Sequence, residues 1–87
     1  MKNLIESVKH GESGASVYFA TKDWKIREGL ITAYEELRKD YNVDFVDHNI
    51  FCGLKIFVEG QGVERTLIIR EVKEKVKNII NEKLKEF

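Results

Sequence analysis

The stretch Ile50-Phe51-Cys52-Gly53-Leu54-Lys55-Ile56-Phe57-Val58-Glu59 decides the fold. Ile50, Cys52, Leu54, Ile56 and Val58 alternate with Phe51, Gly53, Lys55, Phe57 and Glu59. Successive side chains of a strand point to opposite faces, so a period of two over this length marks a half-buried strand. The aliphatic row belongs to a core. The other row carries two phenylalanines and a lysine on the far side of the sheet.

Downstream, Gly60-Gln61-Gly62 is turn chemistry. A two-residue loop, at 60–61 or 61–62, returns Val63, Arg65, Leu67 and Ile69 to the face of Ile56 and Val58. A three-residue loop sets Glu64 there instead. The two-residue turn is therefore expected, with a further strand over 63–70. From 71 to 87, Val72, Val76, Ile79, Ile80, Leu84 and Phe87 form one stripe among Lys, Glu and Asn, which predicts an amphipathic helix.

Upstream, Asp47-His48-Asn49 reads as a turn and 43–46 as a short strand. Before it, Ile26, Leu30, Ala33, Leu37 and Tyr41 make a continuous helical stripe, with Thr21 and Asp23 as candidate N-caps of a helix over 23–41. Gly29 within it costs about 1 kcal/mol relative to Ala, which close packing can justify. Val17, Tyr18 and Phe19 predict a strand at 15–20. At the start, Leu4, Ile5 and Val8 share a helical stripe that Gly11 would cap, predicting a short helix over 2–10 and a flexible connector through Gly14.

The expected order is α-β-α-β-β-β-α: an α+β two-layer sandwich with a mixed or antiparallel four-stranded sheet and two long helices on one face. The strands at 15–20 and 43–46 flank a helix, which suits a right-handed βαβ unit. The 87 residues make a single domain, 1–87, with a thin core.

Composition narrows function mainly by exclusion. Lys plus Arg and Asp plus Glu are 15 each, so neither a basic excess for nucleic acid nor an acidic mimic of it is present. One cysteine, Cys52, permits no internal disulfide. Glu6 and Lys9 interrupt any apolar leader, and no run reaches the roughly 18 residues of a membrane span. A reducing, cytoplasmic setting without a membrane partner is expected. Short chains rich in Lys, Glu, Ile and Asn are common among phage and mobile-element proteins, an association of composition only.

No chemical constellation converges. Asp44, Asp47, His48 and Cys52 are metal-ligand and nucleophile types, but Cys52 falls in the core row while Asp47 and His48 fall in a turn. A buried Cys in an apolar row behaves as a small hydrophobe. Gly11-Glu12-Ser13-Gly14 is not a nucleophile elbow, and it precedes a strand, unlike a phosphate loop. Its Gly-x-x-Gly spacing is similar to the backbone-clamping loop of KH domains, but Glu12 is acidic and no helix pair flanks it. The order helix, three strands, helix over 23–87 is similar to that of double-stranded-RNA-binding domains. Their lysine cluster would fall at Arg70-Glu71-Val72-Lys73-Glu74-Lys75, where glutamates interleave the bases. Glu71 and Lys75 have the spacing of an intrahelical ion pair. No enzyme activity, cofactor or metal is expected.

The far face of the sheet is the remaining candidate. Strand parity gathers Phe51, Phe57 and Ile68 there, with Lys55, Thr66 and Arg70 between them and Tyr18 from the first strand. An apolar, aromatic patch rimmed by cations marks a contact with a protein partner or a second copy, as an adaptor, an inhibitor or a homodimer. The alternative is stacking of RNA or single-stranded bases. The N-terminal helix is a competing cover, because Leu4, Ile5 and Val8 must pack somewhere.

Overall fold

The computed structural model describes residues 2–87. The chain runs β1 (Ile5–His10), β2 (Gly14–Thr21), α1 (Trp24–Leu37), β3 (Asn42–Asp47), β4 (Cys52–Glu59) and α2 (Gly62–Leu84). The four strands form one antiparallel sheet in the order β1-β2-β4-β3. The α+β class, the four-stranded sheet and the two long helices agree with the sequence expectation; the order β-β-α-β-β-α does not.

Three expectations are corrected. The first concerns residues 2–10, where the helix is replaced by strand β1. Leu4, Glu6 and Val8 share one side of the sheet, and the turn brings Gly11 opposite Gly14, its N–H donating to the Gly14 carbonyl at 2.8 Å. Gly11 therefore closes a β-hairpin, and the stretch expected to be a flexible connector is its tip. Leu4 and Val8 fit both periods, Ile5 fits only the helical one, and pairing with β2 decides for the strand.

The second correction falls on 63–70, which is the opening of α2 and not a strand. Gly60 at φ 109° and Gly62 at φ 66° turn the chain out of the sheet plane, a conformation glycine adopts at little cost. Three contacts then tie this junction to the β1–β2 tip. Gly60 N donates to Ser13 O at 3.3 Å, Gln61 Nε2 to Glu12 O at 3.1 Å, and Arg65 Nη1 to Gly11 O at 2.7 Å. Glu64 in the first turn suits the positive end of the helix dipole.

The third correction concerns connectivity. β2 and β3 flank α1, but β4 lies between them, so the two are not neighbours. The helix, three-strand, helix order also lapses, because only β3 and β4 separate the two helices.

The core row of β4 is as expected: Cys52, Leu54, Ile56 and Val58 are buried, whereas Ile50 precedes the strand and is exposed. The register sets Val17 and Val43 beside Ile56, and Phe19 and Phe45 beside Leu54. Ile26, Leu30, Ala33 and Leu37 of α1 and Ile69, Val72, Val76 and Ile80 of α2 close this face. Asp23 caps α1, accepting from the N–H groups of Lys25 and Ile26. The one buried polar side chain among the described residues is satisfied: Thr21 Oγ1 donates to Asn3 O at 2.6 Å and accepts from Asp23 N at 3.0 Å. The Glu71–Lys75 pair forms at 3.0 Å.

Candidate sheet-face binding site

Both helices lie on one side of the sheet, so its other side is uncovered among the described residues. β1 joins the sheet as an edge strand; its Val8 and the preceding Leu4 pack against the core, and it does not fold over the open face. The cover considered for the N-terminal segment is thus excluded.

The register orders this face into rows. Ile5, Ala20, Gly53 and Val46 stand side by side across the four strands. Next come Ser7, Tyr18, Lys55 and Asp44, and then Lys9, Ser16, Phe57 and Asn42. The first row has small residues at its centre and large ones at its ends, with Ile5 68% and Val46 48% exposed. It is therefore a trough whose floor is Ala20 and Gly53.

Phe51, just before β4, closes one end of the trough and is half-exposed; its ring lies 4.8 Å from that of His48. Two depressions meet at Ala20 and Phe51. One, of about 630 Å3, extends over Leu4 and Ile5 toward Asp23. The other, of about 570 Å3, extends over Gly53 to Tyr18, Val46 and Lys55.

Electrostatically the face is mild. Lys55 Nζ stands 4.0 Å from Asp44 Oδ2, and Lys9 is the other cation in these rows. Phe57 leans across β2, where Gly14 leaves room for the ring: a Cβ at 14 would meet Phe57 Cζ at 2.6 Å.

Of the residues expected at this site, Tyr18, Lys55 and Phe57 share the open face by register, and Phe51 closes its end. Ile68 and Arg70 do not belong to it. They stand on α2, because the segment that carries them is helical. Ile68 borders a separate depression with Tyr41 and Phe57. Thr66 is likewise on α2, its hydroxyl donating to Gly62 O at 3.2 Å. Sequence parity missed Ile5, Ala20 and Val46. Ala20 and Val46 lay in or beside expected strands and were within reach of the same argument; Ile5 was hidden by the helical reading of 2–10.

The other cluster disperses. Asp47 is held by Arg27, which donates from Nε to Oδ1 at 3.1 Å and from Nη2 to Oδ2. The guanidinium keeps this carboxyl below its ordinary range, and the carboxylate in turn raises Arg27. Cys52 is buried facing the helices, and burial pushes its thiol above the ordinary value. Among the described residues no three His, Cys, Asp or Glu side chains group as a metal site. Among the described residues no helix is long and apolar enough to cross a membrane.

Comparison with protein-family models, curated proteins and solved structures finds no match.

Proposed function

We propose that this chain is a non-enzymatic binding module that holds a protein partner against its open sheet face. The trough over Ala20 and Gly53 carries the reading. It is apolar, shallow and walled by Ile5, Val46, Tyr18 and Phe51. An aliphatic or aromatic side chain from the partner fits such a floor, with Phe51, Phe57 and Tyr18 as anchors and Lys55 on the polar rim. The partner side chain is apolar because the face opposes Lys55 with Asp44 and holds little net charge.

Gly53→Val tests this directly. A Cβ at 53 meets nothing closer than Phe19 O at 3.5 Å, an ordinary contact, and valine favours strands. The variant fills the trough and keeps the fold. Displayed peptides selected on the native protein are expected to carry an aromatic or branched anchor, to lose binding to Gly53→Val, and to respond little to salt. Binders that treat both proteins alike overturn the proposal.

The adjacency of Tyr18 and Phe57 to Lys55 and Lys9 favours one second reading, stacking of single-stranded RNA or DNA. Binding of a single-stranded oligonucleotide that weakens steeply with salt would replace the first reading by this one.

A further inference from the structure

We propose that β1 is a self-pairing edge: a second copy of this chain extends the sheet antiparallel to β1, across a twofold axis at Val8.

The unpaired backbone groups define the geometry. Gly11 N donates to Gly14 O, so 11 and 14 form a hydrogen-bonded pair of the β1–β2 ladder. Such pairs alternate along an antiparallel ladder, so Ser7 and Lys9 bond inward to β2. The N–H and C=O groups of Glu6, Val8 and His10 then point outward, away from the sheet. β1 has no proline and ends in a closed two-residue turn. It offers an open ladder that another strand can complete.

The register follows from parity and charge. Both copies must present outward groups from even-numbered residues, which keeps the two helix layers on one side of the joined sheet. Centring on Glu6 opposes two like charges. Centring on Ser7 sets Glu6 against an apolar Val8. Centring on Val8 pairs valine with valine and sets Glu6 against His10 of the second copy, twice. The Glu6 carboxylate accepts from an imidazole N–H in any of its protonated forms. This register makes about six main-chain hydrogen bonds. It also covers Val8, which points to the helix side yet stays only half-buried. Glu6 already accepts from Lys77 Nζ at 2.9 Å, so its carboxylate would be shared between that lysine and His10 of the second copy.

The opposite edge is defended. The N–H of His48 donates to Phe51 O at 2.8 Å, so Val43, Phe45 and Asp47 present the outward groups of β3. Centring β3 on Asp44 opposes two carboxylates. Centring it on Phe45 pairs phenylalanine with phenylalanine but sets an apolar Val43 against the Asp47 carboxylate, twice. Neither of these registers sets opposite charges against each other, and acidic side chains along an edge discourage pairing.

The proposal does not depend on the trough, and Gly53→Val should leave dimerisation unchanged. Sedimentation from micromolar to millimolar concentration is expected to show a monomer–dimer equilibrium. Val8→Pro removes an outward N–H that β2 does not use, and it should shift the chain to monomer with its circular dichroism retained. Two cysteine variants read the register independently. Val8 faces its own copy at a Cα separation of about 5.5 Å, within disulfide range, so Val8→Cys should link under oxidation. The two Ser7 residues stand beyond the roughly 7 Å limit, so Ser7→Cys should stay unlinked. A native protein that stays monomeric at millimolar concentration, or preferential linking of Ser7→Cys, overturns the inference.

Discussion

Gly29 of α1 lies against Ile80 of α2 so closely that a Cβ at 29 would stand 3.0 Å from both Cα and Cγ1 of Ile80. The missing side chain is what lets the two helices approach. Ile80 is fully buried at this crossing. A leucine at 29 must push α2 outward, and overpacking of this kind costs about 1–3 kcal/mol. Gly29→Leu is therefore expected to lower the urea midpoint despite its better helix propensity. Combined with Ile80→Ala, which alone costs about 2–5 kcal/mol, its penalty should shrink only in part, because the alanine removes Cγ1 and keeps the Cα that a Cβ at 29 also meets at 3.0 Å. Full relief of the penalty would assign the limit to the isoleucine side chain, and strict additivity would assign it to the backbone.

Gly14 and Phe57 make a related prediction on the other side of the sheet. A Cβ at 14 would meet Val58 O at 2.5 Å as well as the Phe57 ring. The ring can rotate away, but the carbonyl belongs to the β2–β4 ladder and cannot. Gly14→Ala should destabilise the protein by about 1–3 kcal/mol, and adding Phe57→Leu should recover only part of that loss. Full recovery would assign the whole clash to the ring. Thermal melts of the single and double variants decide this.

What was legible in the sequence follows from element length. The helix led by Ile26, Leu30, Ala33 and Leu37 and the strand led by Cys52, Leu54, Ile56 and Val58 each repeat their period several times, so the alternative period fails. The 2–10 segment holds only three apolar residues, and Leu4 and Val8 suit both a helical stripe and a strand face. Val63, Arg65, Leu67 and Ile69 alternate well, yet Ile69 also begins the helical stripe that continues through Val72, Val76 and Ile80. The glycines at 60 and 62 permit either a hairpin or an exit from the sheet. Contacts of Gln61 and Arg65 with the distant β1–β2 tip favour the exit, and no local pattern announces them. The same two misreadings explain the site. Phe51, Phe57, Lys55 and Tyr18 came from well-read strands, whereas Ile68 and Arg70 came from a segment assigned the wrong period.

The Arg65 contact is itself testable. Arg65 Nη1 donates to Gly11 O at 2.7 Å and to Gly60 O at 3.3 Å, so one guanidinium joins the β1–β2 tip to the start of α2. Arg65→Ala should raise amide hydrogen exchange at the hairpin tip and in the first turn of α2 together, leaving the α1–α2 core protected. Loosening of only one of these segments would show that the guanidinium does not couple them.

Arg27 and Asp47 give a pH dependence with a definite sign. The arginine, chiefly by its hydrogen bonds, lowers the Asp47 carboxyl from its ordinary value of 3.8. A carboxyl depressed in the folded state stabilises it above the unfolded value, and that contribution is lost as pH falls through the folded value. The native protein should therefore exceed Asp47→Asn in stability near neutrality. The difference should close as the solution is acidified from 3.8 downward. The pair is exposed, so the gap should be small and should narrow with added salt. A stability difference independent of pH would show that Asp47 acts through packing or backbone geometry instead of charge.

Cys52 reports on the end of the sheet that bears the trough. It begins β4, pairs with Thr21 and Asp47 in the register, and is 1% exposed. Burial raises its thiol, so the reactive thiolate is scarce as well as inaccessible. A thiol reagent should modify the folded protein far more slowly than the urea-unfolded chain, at a rate set by opening of β4. A ligand seated over Phe51 and Gly53 binds beside this residue and holds that end closed, so an authentic trough binder should slow the reaction further. A peptide that binds without protecting Cys52 must be docking elsewhere. Labelling that is fast in the absence of ligand would mean that β4 frays at the place where the trough needs a rigid floor.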